Sequence, residues 1–316
     1  MPELPESVFA NRPETRLFED ADADSTVVNH VLLGTYLGVL DEVDGFYEVV
    51  TRRAGRGGFV AKGETRPDPV LKMFFVDVGQ GDGTLIESPQ GIVVVDGGIG
   101  GGFRSFLRHR YKPLIDDGEQ IEIAAMVVSH PDGDHYKGLE YLLEDPDFKV
   151  KTIYHNGLMR YPRSVEDSKS RMITEGHLVE RDIDGKSAPV VVDIVDGLDG
   201  ILDRLDEMPA WFRWFWEAAK KAREDSRLTD VRRLSAGDTV EGFSGDPADG
   251  LHISVLAPVP LAGPNGEPEL LAFGEPKKRH LPRPAYPHYH YSHSHTRNGQ
   301  SIMLRLDYGQ HRILLG

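Results

Sequence analysis

Residues 123–145 read "IAAMVVSHPDGDHYKGLEYLLED". The first six residues are apolar and short, the pattern of a buried strand. From His135 onward the text turns helical, with Leu139, Leu142 and Leu143 spaced for one buried face. Between them stand two histidines and two aspartates within six positions, His130, Asp132, Asp134 and His135. A polar cluster at the handover from a core strand to a helix is a common place for a binding site in an α/β fold.

The order is H-x-D-x-D-H. In extended chain, positions two apart point the same way, so His130 and Asp132 can converge on one ion. Asp134 and His135 are adjacent and diverge, which suits a second ion nearby. Gly133 permits the sharp turn that such crowding requires. A pair of ions is well suited to hydrolysis, with a shared hydroxide as nucleophile and charge stabilised on both oxygens of the displacement. The plain alternative is a polar turn.

Upstream, "LKMFFVDVGQGDGTLIESPQGIVVVDGG" (71–98) reads as three strands separated by Gly-rich and Pro-Gln-Gly turns, and 101–114 as a helix. Downstream, "KVKTIYH" (149–155) is a further strand. Residues 157–233 and 260–298 read as insertions. The first contains an aromatic helix with Trp211, Phe212, Trp214, Phe215 and Trp216, read as core packing or as an aromatic substrate platform. The second holds "YPHYHYSHSHT" (286–296), whose i, i+2 histidines could bind metal or simply form a polar loop. "LSAGDTVEG" (234–242) and "LHISVLAPV" (251–259) read as strands, and "SIMLRLDYGQHRILLG" (301–316) as a closing hairpin.

Residues 14–66 form a separate β-rich unit, with Asp44-Gly45 as a hairpin turn. "TRPDP" (65–69) is read as the linker. The stretch from "ADADSTVVNHVLLGTYLGVLDEVDGFYEVV" to "GGFVAKG" resembles a bacterial SH3-like β-barrel. That resemblance implies a protein-binding or positioning module, with a structural cap on the next domain as the alternative.

Composition bounds the chemistry. With no cysteine there is no disulfide and no thiolate ligand, so any metal is held by His, Asp or Glu, and a cytoplasmic home is favoured. No apolar run reaches membrane-spanning length. A net charge of −15 argues against a broadly basic nucleic-acid surface, though not against a nucleic-acid or nucleotide substrate where metals supply the positive charge.

The H-x-D-x-D-H run, with "FFVDVGQGDGTLIESPQGIVVVDGG" before it and "NGQSIMLRLDYGQHRILLG" after it, resembles the metallo-β-lactamase fold in its ComEC-like, competence-associated branch. The resemblance spans 71–316 and implies an αββα four-layer sandwich and one or two divalent ions, zinc or manganese. Carried over by position, His130 and Asp132 bind a first metal and Asp134 and His135 a second. Asp134, or the His130 pair, also orients the nucleophilic water. Asp96 matches a residue that orients ligands. Asp77 lies in a loop near the metals, with turn chemistry as its alternative. His155 stands where a further ligand is expected, with a satisfied strand-end histidine as its alternative. Asp132 replaces a more usual histidine, which favours harder ions without excluding zinc. The family's bridging aspartate and a later histidine would fall beyond Gly316, so the fold is expected to be incomplete at this end.

The functional expectation is a metal-dependent hydrolase of phosphodiester bonds. A non-catalytic scaffold with a degenerate site is the alternative, and β-lactam or thioester hydrolysis shares the fold without specific support.

Overall fold

The structure, a computed structural model, describes residues 4–51, 57–162, 171–273 and 292–316. The chain divides into two compact units. One comprises Met1–Lys72 with the short stretches Glu87–Pro89 and Lys112–Asp117, and the other comprises the rest.

The first unit is built on one seven-stranded sheet. Alternation along Ser7–Ala10, Glu14–Phe18 and Tyr36–Val43 sends Val8, Ala10, Leu17 and Leu37 inward, where they meet Val31, Val49 and Val60. The expected hairpin is present: Val43 pairs with Phe46 across Asp44 and Gly45. Both turn residues have positive φ, 48° and 85°. That backbone matches the twist of the flanking strands and explains the Asp-Gly choice.

The second unit is mixed α/β. Its largest sheet has six strands in the order Leu228–Arg233, Phe148–His155, Ile121–Val127, Gly91–Val95, Thr84–Ser88, Lys72–Phe75. The first four pair in parallel. Ile121–Val127 is central, and its near-continuous apolar sequence follows from burial on both faces. The Gly133–Glu144 helix buries Tyr136, Gly138, Leu139, Leu142 and Leu143, the face read from its leucine spacing. It packs between the Gly102–Arg110 and Ala210–Glu224 helices. A second sheet places Met303–Tyr308 between Leu251–Ala257 and His311–Leu315, all antiparallel.

Three expectations are altered. The Leu228–Arg233 strand joins the six-stranded sheet, and the aromatic helix packs on the helix that follows the H-x-D-x-D-H run, so 157–233 is not one appended piece. Strands from both expected insertions form a single five-stranded antiparallel sheet, in which Lys186–Val191 pairs with Pro268–Leu271. "LSAGDTVEG" is not a strand beyond an isolated bridge at Thr239. Ser235 N–H donates to Asp238 Oδ2 and Asp238 N–H to Ser235 O, a local turn that competes with sheet pairing. Among the described residues, no helix is long and apolar enough to cross a membrane.

Candidate metal centre

The site is assembled where the Ile121–Val127 strand ends. Asp132 adopts extended backbone at the N-cap of the Gly133–Glu144 helix, which puts Asp134 and His135 in the first turn. Three loops are knitted around this turn by backbone hydrogen bonds. Gly97 N–H donates to His135 O (2.7 Å), Gly98 N–H to Asp82 O (2.9 Å) and Gly138 N–H to Gly98 O (2.8 Å). The approach is so close that a β-carbon on Gly81, whose φ is +91°, would lie 1.6 Å from Asp134 O. The Gly-rich text of this region is thus steric in origin.

Asp96 is buried and holds the cluster together. Its Oδ1 accepts from Ser129 N–H (2.8 Å), and its Oδ2 accepts from Ser129 Oγ (2.6 Å) and His135 Nδ1 (2.7 Å). Proton counting then orients the His135 imidazole. Ser129 has one hydroxyl proton and gives it to Asp96, and its Oγ also lies 3.0 Å from His130 Nδ1. Ser301 Oγ lies 3.2 Å from the same nitrogen. His135 donates its Nδ1 proton to Asp96, so its neutral form presents a bare Nε2. The two rings lie 4.0 Å apart between centroids. Burial disfavours charge on His135, but the hydrogen bond and charge of Asp96, with Asp134 and Asp82 nearby, outweigh it and raise the pKa.

His130 Nε2 is buried without a hydrogen-bond partner. It faces Asp132 Oδ2 at 3.6 Å. Two ligands about 2.1 Å from a tetrahedral ion stand about 3.4 Å apart, so this pair fits one cation. The other oxygen of Asp132 is engaged differently. Oδ1 accepts from Arg160 Nη1 at 2.9 Å and from Arg297 Nε. Burial opposes ionisation of Asp132, yet the adjacent His130 imidazole and the charges of Arg297 and Arg160 hold its pKa down at about 2. Arg297 also donates to fully buried Glu175 at 2.5 Å, and Glu175 meets His293 Nδ1 at 2.8 Å. Both guanidiniums are mostly buried.

The structure thus brings together His130, Asp132, Asp134, His135 and Asp96. Asp134 accepts from Gln80 Nε2 at 3.5 Å. Asp77 Oδ1 accepts from Gly79 N–H in a local turn. His155 stands apart from the cluster. Its Nε2 donates to Asp196 O (2.7 Å) and its Nδ1 accepts from Gly157 N–H (3.0 Å), so both nitrogens are spent on backbone. Burial drives its pKa down to about 4. In the histidine-rich stretch, His288 and His290 lie outside the described residues. His293 bonds Glu175 and Thr174, and His295 bonds Ser292.

The donor set fits half of a coordination shell: His130 faces Asp132, with Asp134 and His135 beside them in the first helical turn. Among the described residues, no three His, Asp or Glu side chains gather into one metal-holding group. Ser129, Arg160, Glu175 and Arg297 were not anticipated. Only Ser129, beside His130, carried a local signal in the sequence.

A sequence profile described as the Metallo-beta-lactamase superfamily matches residues 76–314, most of the chain. No curated protein matches it.

Proposed function

We propose a function from one premise: the chain belongs to the metallo-beta-lactamase superfamily. Membership suggests metal-dependent hydrolysis in general. The finer reading is a phosphodiesterase of the ComEC-like branch, acting in the cytoplasm on nucleotides or nucleic acid, with the N-terminal unit as an SH3-like module for a protein partner. The observation that carries the catalytic part is the buried, unpartnered Nε2 of His130 facing Asp132 Oδ2.

His130 with Asp132 would hold one cation, zinc or manganese, and Asp134 with His135 a second. When bound, such an ion supplies a nucleophilic hydroxide at neutral pH and positive charge against the reacting oxygens. The protein's own part is to fix the ligands. Asp96 sets the tautomer of His135, and His130, Arg297 and Arg160 keep Asp132 ionised, the two arginines orienting it through Oδ1. Asp134, on the first helical turn, orients water. The two arginines also add positive charge that favours an anionic substrate over a neutral one.

The test is turnover of bis-p-nitrophenyl phosphate by the full chain with added Mn²⁺ or Zn²⁺. Turnover should require the metal and fall at least about a hundredfold in Asp134→Ala. No turnover, or turnover indifferent to that change, overturns the reading. A second reading, a non-catalytic scaffold with a degenerate site, is favoured by the lack of a third close donor among the described residues. Partner capture that survives His130→Ala, without hydrolysis, supports it.

A further inference from the structure

The Ala210–Glu224 helix carries five large aromatics in its first two turns, and they are not used alike. Phe212, Phe215 and Trp216 are buried, as core packing requires. Trp211 stays 36% exposed, and it lies beside the candidate centre. Tyr136 Oη donates to Trp211 O at 3.1 Å, which ties this residue to the helix bearing Asp134 and His135. Arg160, the guanidinium that holds Asp132, has its Cζ 5.2 Å from the Trp211 ring centroid. Lys137 Nζ lies 5.8 Å from the same centroid. The Lys137 stem lies over Gly133, within the H-x-D-x-D-H run.

Two further facts set this corner apart. Arg160 Nε is buried without a hydrogen-bond partner, although a guanidinium there has donors to give. Lys137 and Arg160 also set two cations against this one indole, in a chain whose net charge is −15. Packing alone would account for a buried indole in contact with cations. It does not account for one left partly open beside a metal half-site.

We propose that Trp211 is a base-stacking residue and that Lys137, beside its ring, is the cation that attracts the adjoining phosphate. The substrate class is then a nucleoside phosphodiester, in which a base is joined to the scissile phosphate. This inference rests on the phosphodiester reading above and adds the residue that holds the base. Stacking on an aromatic side chain is tolerant of base identity, so the site selects for a nucleoside and not for one base.

The experiment compares two substrates with one leaving group: thymidine 5′-(p-nitrophenyl phosphate) and methyl p-nitrophenyl phosphate, with Mn²⁺ and the full chain. The wild type should favour the nucleoside ester in kcat/KM. Trp211→Ala should lower that value about tenfold, mostly through KM, and leave the methyl ester within about twofold. KM for both esters should rise with salt. Equal turnover of the two esters by the wild type, or an equal loss of both in the variant, overturns the inference while leaving the phosphodiester reading in place. If neither ester is cleaved, that reading fails, and binding of thymidine 5′-monophosphate decides the rest. Binding weakened by Trp211→Ala upholds the site, and no binding ends it.

Discussion

His130 Nε2 and Asp132 Oδ2 face each other at 3.6 Å with no hydrogen bond completing the nitrogen. Asp132 can present that oxygen because its other one is anchored by Arg160 and Arg297. Its carboxylate therefore serves the fold and the site together.

Asp132→Ala should destabilise the protein by about 3 kcal/mol in urea unfolding, because it leaves two mostly buried guanidiniums without a shared anion. The pH dependence has a definite sign. The folded pKa of Asp132 is depressed to about 2, so its contribution is complete above the ordinary carboxylate range and is lost as pH falls toward 2. The variant's stability should fall less steeply over that acid window.

Asp96→Asn should weaken metal binding about 10- to 100-fold without unfolding the chain. The amide keeps the shape, but it no longer accepts from both Ser129 Oγ and His135 Nδ1 on one oxygen. Calorimetric titration with Zn²⁺ reads the change. Ser129→Ala should act in the same direction, because it removes a hydroxyl that meets both Asp96 and His130 Nδ1.

Gly81→Ala should cost about 3 kcal/mol or more, since its β-carbon would collide with Asp134 O. Gly79→Ala is the control. It has a similar positive φ, +82°, but open space around it, so only backbone strain of about 1 kcal/mol applies. Equal effects by chemical denaturation would contradict the close approach of the two loops.

His155→Gln should leave metal affinity within about twofold of wild type, because both ring nitrogens are already bonded to Asp196 O and Gly157 N–H. In the wild type this histidine is neutral with its pKa lowered to about 4. The unfolded chain takes up the proton first, so stability is lost as pH falls from about 6.5 to about 4, by up to about 3 kcal/mol. The variant's stability should be flatter across that window.

The strand, the turn and the helix around His130 were legible because each has a local signature: an apolar run, a glycine, a leucine face. The Asp44-Gly45 hairpin was legible for the same reason. What escaped is long-range. Arg160 and Arg297 reach Asp132 from 28 and 165 residues away, and neither sits in a pattern that announces a partner. The place of His155 depended on backbone groups that no side-chain motif reveals. The strand pattern of 234–242 lost to a Ser-x-x-Asp turn, a competition settled by side-chain hydrogen bonds and not by hydropathy.

Titration of the full chain with Mn²⁺ and Zn²⁺, beside His130→Ala and His135→Ala, bears most directly on the two imidazoles gathered at the strand end. The account predicts saturable binding by the wild type that each substitution weakens at least about tenfold, with the fold intact by circular dichroism. Absence of binding by the wild type, or affinity that neither substitution changes, would contradict it.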